Sequence, residues 1–272
     1  MKKIINYLYI ILIVFSIFSF QAFADTKIIH VLVALCDNKY QKIVPVPQAI
    51  GNGQDPQNNL YWGAAYGFKT YFAKQKEWQI ININKPSSGK ILEEIIYKHR
   101  NKDVYLIAQA SYDGKYIDDT VDDFLDFAAG KKTQQISLND KIVMAGGNSN
   151  LVVYIGHDSL MESSWRNYLP DSWRWDTLSK TEKEKQKLRY AAVFACKSQK
   201  YFTPPLSRLG ITPLILTLHR MAPEAYSVHA MITSWLNGES KDEIRYKVAS
   251  AYSKYQKLSK PALHIFTTEY SQ

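Results

Sequence analysis

LVVYIGHDS, from Leu151 to Ser159, and YAAVFACKS, from Tyr190 to Ser198, are the two stretches on which the reading of this chain turns. Each opens with a short apolar, partly β-branched run of strand length that stops at a polar turn, the pattern of a strand buried on both faces. As parallel neighbours in one sheet, the two runs would deliver His157 and Cys196 to the same carboxyl edge. Open α/β sheets place their ligands at that edge, and a thiol beside an imidazole is a nucleophile beside its base.

Working outward, Ile28–Leu35 (IIHVLVAL), Trp78–Ile83, Asp103–Ala108, Thr212–Leu218 and Ala262–Thr267 also read as strands. Between them the pattern predicts a helix over Leu60–Gln75, capped by Asn58 or Asn59, with Gly63 and Gly67 allowing close approach to the sheet. Another is predicted over Ser88–His99, and a third from Asp119 to Ala129 after a turn at Asp113-Gly114, with Gly130 ending it. Beyond Cys196, Pro223 stands at N1 of a helix from about Glu224 to Asn237, with Gly238 past its end, and the capping box Ser240/Glu243 opens one more, to about Gln256. A further box, Ser179/Glu182, starts a short charged helix. The alternation gives an α/β class: a three-layer αβα sandwich on a mostly parallel six-stranded sheet, in one domain from 25 to 272.

The N-terminus reads as an export signal over residues 1–24. Lys2 and Lys3 precede an apolar segment from Ile4 to Phe20, and Ala22-Phe23-Ala24 supplies the cleavage pattern before Asp25. No later segment is apolar and long enough to span a bilayer, so the expected location is periplasmic or secreted, with no membrane span after cleavage. Loss of Lys2 and Lys3 leaves 32 basic residues against 25 acidic, a net charge of +7. The charges are interspersed, which argues against a nucleic-acid partner and allows a cell-envelope one.

Two cysteines in an exported chain, Cys36 and Cys196, invite a disulfide. Gly51-Asn52-Gly53 lacks the lysine of a phosphate loop and the spacing of a dinucleotide fingerprint. Asp118, Asp119, Asp122, Asp123 and Asp126 lack calcium-loop spacing and suit a helix N-terminus. The histidines show no zinc spacing. No cofactor or metal is expected, and nothing in the pattern fixes an oligomeric state.

An apolar strand ending in His, then one ending in Ala-Cys, followed by strand, helix, helix and strand, resembles the caspase, legumain and gingipain group of cysteine peptidases. VVYIGHD and AAVFACKS carry the resemblance. It implies Cys196 as nucleophile and His157 as general acid/base, with peptide or protein as substrate. Amides at Cys196 and at Asp158 would serve the oxyanion, and Asp37 or Asn38 would orient the imidazole. It also implies a first strand and a Cys strand flanking the His strand, which separates Cys36 from Cys196 and leaves both thiols free. Two positions depart from the group: Asp158 replaces a glycine, and Phe194 replaces an acid.

Asp113 and His219 follow strands at the same edge and are candidate substrate contacts, as are Trp165, Trp173 and Trp175 in the segment between the motifs. Those tryptophans support a reading from another class: an inactive protein of this fold that holds an envelope peptide or glycan. A third reading is a metal-dependent hydrolase using His157 and Asp158.

Overall fold

The computed structural model describes residues 26–86, 89–138, 141–161 and 189–270. The expected signal segment, the three tryptophans at 165, 173 and 175, and the Ser179/Glu182 box lie outside the described residues. In chain order the elements are β1 (Lys27–Ala34), α1 (Phe68–Phe72), β2 (Trp78–Asn84), β3 (Glu94–His99), β4 (Val104–Tyr112), α2 (Ile117–Ala129), β5 (Thr133–Leu138), β6 (Lys141–Gly146), β7 (Leu151–Ile155), β8 (Tyr190–Phe194), α3 (Ser198–Arg208), β9 (Thr212–Thr217), α4 (Ala225–Leu236), α5 (Lys241–Tyr255) and β10 (Phe266–Thr267).

Among the described residues eight strands form one sheet, ordered β10-β9-β8-β7-β1-β4-β3-β2. The five from β9 to β4 are parallel, while β10, β3 and β2 join antiparallel. The mostly parallel α/β class is as the sequence predicts, with eight strands where six were expected.

The period of two in each strand sorts its side chains between two layers. Ile29, Val31 and Val33 of β1, Leu151, Val153 and Ile155 of β7, and Phe194 of β8 share a core with α4 and α5. Leu32, Ala34, Val152, Tyr154 and Val193 point the other way, into a core with α2 and α3. Because both faces are covered, the central strands carry no polar alternation, and their runs read as continuous.

Three expectations are corrected. Ser88–His99 is not a helix: Glu94–His99 is the strand β3, paired antiparallel with β2 and β4. Ile95 and Tyr97 go to one face and Ile96 to the other, a two-sided burial that helical periodicity imitates. The helix over Leu60–Gln75 shrinks to Phe68–Phe72, because Gly63 and Gly67 serve turns. A Cβ at Gly63 would lie 1.9 Å from Gln57 O, and one at Gly67 would lie 2.4 Å from Trp62 O. The last strand is limited to Phe266–Thr267. The hairpin of β5 and β6 arises where the sequence pattern predicts no element, and it packs Ile136, Leu138, Val143 and Ala145 on Ile28, Ile96 and Ile107 of the sheet.

Two expected caps form, while α1 starts after Gly67 with no side-chain cap, where Asn58 or Asn59 was expected. Gly130 ends α2 in the left-handed region at φ 77°, and the Ser240/Glu243 box opens α5 with both reciprocal bonds made. No helix among the described residues is long and apolar enough to cross a membrane.

Candidate active site

Both opening motifs end where the sheet ends. β7 and β8 are parallel neighbours whose last registered pair is Ile155 with Phe194, and the Gly156 amide donates to Phe194 O at 3.2 Å. His157 and Cys196 each follow that last pair by two positions. They leave adjacent strands at one level of the carboxyl edge.

Glycine at 156 suits this exit, since a Cβ there would meet Ala34 Cβ and the Tyr154 hydroxyl at 3.0 Å. The same hydroxyl donates to His157 O at 2.7 Å and pins the turn. His157 is partly exposed and lines a cavity of about 180 Å³ with Tyr40, Gln41, Lys42, Ile117, Asp118 and Ser159.

Cys196 lies on the tight turn from β8 into α3, which several bonds lock. Lys197 takes the left-handed region at φ 53°, and its amide donates to His219 O at 3.0 Å. Ser198 N–H donates to Thr217 Oγ1, and Ser198 Oγ donates to Val193 O, both at 3.0 Å. The thiol is partly exposed and donates to Met221 O at 3.6 Å. No hydrogen bond joins Cys196 Sγ to the His157 ring among the described residues.

Cys36 follows β1 by two residues at the same edge, fully buried. Its amide donates to Asn59 Oδ1 at 3.0 Å, and its carbonyl accepts from Asn59 Nδ2 at 2.8 Å. Burial pushes the Cys36 thiol up to about 11, offset in part by a hydrogen bond with Tyr61. Tyr61 is buried too, and burial, with Cys36 and Cys196 nearby, holds its hydroxyl well above its usual value. Both cysteines are free thiols, since β7 lies between β1 and the Cys196 strand. Two strand spacings amount to roughly 9–10 Å, beyond the roughly 7 Å that a disulfide spans.

The remaining candidates occupy the same edge in other roles. Asp37 Oδ1 accepts from Lys39 N and Tyr40 N, while Asn38 brackets Val46 with two bonds. Gln54 Nε2 donates to Asp37 at 3.0 Å and to Asp113 at 2.5 Å. These residues shape the loop that carries Tyr40–Lys42 against His157. Gln41 ties that loop down, donating from Nε2 to Leu35 O and Gly114 O. Asp158 is fully buried, and its carbonyl accepts the Met161 amide at 3.2 Å. His219 is exposed, with its ring 6.0 Å from that of His264.

Sequence reasoning passes over four residues that the fold brings to this edge. Tyr40, Gln41 and Asp118 line a cavity with His157, and Tyr61 is buried near the thiols. Asp118 carries no signal beyond a helix N-terminus, and Tyr61 reads as helix packing. No group of three or more His, Cys, Asp or Glu among the described residues is placed to hold a metal ion. Comparison with protein-family models, with curated proteins and with solved structures returns no match.

Proposed function

We propose that this chain is an exported cysteine peptidase-like hydrolase, acting on peptide or amide bonds with Cys196 as nucleophile and His157 as general acid/base. The observation that carries the proposal is the matched exit of His157 and Cys196 from adjacent parallel strands at one level of the carboxyl edge. The order in which β1 and β8 flank β7 is the arrangement that the caspase-like resemblance implies. It supports the finer reading of the sheet as a caspase-like core extended by β3 and β2.

In this reading Cys196 gives its proton to His157, and the thiolate attacks the carbonyl carbon. The imidazolium then protonates the leaving amine as the C–N bond breaks, and water deprotonated by His157 releases the acyl group. For this the thiol must turn from Met221 O toward the imidazole. The amides of Cys196 and Asp158 serve the oxyanion, and the Asp158 side chain is fully buried.

The test is labelling with a peptide carrying a thiol-directed electrophile. Cys196→Ala abolishes labelling, and His157→Ala slows it by about 10²-fold or more. Labelling that needs Cys196 and ignores His157 would instead support an inactive, ligand-holding protein of the same fold.

A further inference from the structure

A second cleft lies on the far side of the sheet, between β2 and the outer strand of the hairpin, with a volume of about 390 Å³. Its floor is the face of β2 and β3 that carries Asn82, Asn84, Glu94 and Ile96. Its wall is the consecutive run Gln134–Ser137 of β5. A wall of consecutive residues means that the cleft runs along the edge of β5, not across one of its faces. Among the described residues β5 pairs only with β6, and β6 is the strand of the hairpin with the closer approach to β1. The outer edge of β5 therefore presents unpaired main-chain groups to the cleft, the arrangement that accepts an added strand.

The floor supplies a charge. Glu94 is more than nine-tenths buried, and its Oε2 is fixed by Gln109 Nε2 at 3.0 Å and Gln134 Nε2 at 3.1 Å. Gln109 also donates to Gln134 Oε1 at 2.5 Å, which closes the triangle. No described side chain donates to Oε1, and no cation among the described residues pairs with Glu94. A fixed carboxylate in a chain with a marked excess of lysine and arginine is a built recognition element for a cation brought by a ligand. Asn84 stands directly opposite Glu94 in the ladder, and with Asn82 it adds amides that pair with main-chain groups.

We infer that this cleft binds an extended peptide segment that adds a strand to the outer edge of β5 and places a lysine or arginine side chain on Glu94. The inference does not rest on Cys196 or His157, which lie at the edge beyond β7 and β8.

The test is fluorescence anisotropy on the exported chain with labelled, capped pentapeptides of valine and threonine. Their central residue is lysine, norleucine or glutamate. The lysine peptide is expected to bind about tenfold more tightly than the norleucine one, the scale of a charge-assisted hydrogen bond. Glu94→Gln, and separately Asn84→Lys at the exposed position opposite, should each abolish that preference. Cys196→Ala should leave it unchanged. Equal affinity for lysine and norleucine peptides, absence of binding, or a lysine preference that survives both substitutions would overturn the inference. So would a concentration-dependent dimer that Asn84→Lys disperses while no peptide binds, since that outcome gives the cleft to a second copy of the chain.

Discussion

His30 sits at the centre of β1 with no exposure, and its Nδ1 accepts the Gly146 amide at 3.0 Å. Burial lowers its pKa from 6.5 to about 4. As pH falls through 6.5 the unfolded chain binds a proton that the folded chain refuses until about 4. The neutral ring is therefore without cost above 6.5, and stability is lost between 6.5 and 4, on the order of 3 kcal/mol from this one group. Urea midpoints at pH 7 and pH 4.5 should show that loss, with a flatter dependence in His30→Gln. Parallel pH profiles for the two proteins would refute it. Other single residues were legible only by type. Cys196 and His157 stand out because each ends an apolar run, whereas Asp37 and Asn38 look like site residues and turn out to bind their own loop. Nothing local distinguishes the two cases, because a carboxylate that closes a turn and one that orients an imidazole follow a strand in the same way.

Where an element is fixed by its own neighbours, the sequence foretells it. The Ser240/Glu243 box satisfies amides within one turn, and Ser240→Ala should lower stability by about 1 kcal/mol in urea denaturation. Where an element is fixed by what lies across from it, local reading fails, as at Ser88–His99. That segment also holds Glu93, fully buried, which accepts from Trp62 Nε1 at 2.6 Å and from Lys69 Nζ at 2.9 Å. The lysine comes from α1 and the tryptophan from the turn before it, so the pair fastens the residue-60s segment to the start of β3. Lys69→Met removes the nearer of two cations on the buried carboxylate, Lys85 Nζ lying 4.0 Å from Oε1. It should cost about 3 kcal/mol, read as a lowered urea midpoint at unchanged slope; a change under about 0.5 kcal/mol, ordinary for surface substitutions, would show that the pair carries little.

At the scale of the whole molecule, the order of the strands decides the chemistry of the thiols. With β7 between β1 and β8, iodoacetamide should alkylate Cys196 in the native protein and Cys36 only after unfolding. Unreduced protein should show no Cys36–Cys196 cross-linked peptide by mass spectrometry. Recovery of that peptide would contradict the arrangement of the edge. The sequence by itself determined the α/β class, the central strands and the caps at Gly130 and Ser240/Glu243, since strand length, two-sided apolar runs and capping motifs are local properties. It also picked out His157 and Cys196. Only the tertiary structure decided that these two leave adjacent strands at one level and that Tyr61 is buried. It alone buried Asp158 and opened a cleft with Glu94 between β2 and β5. Those are facts of strand order and register, and they arise from contacts between residues far apart in the chain, which no local pattern encodes.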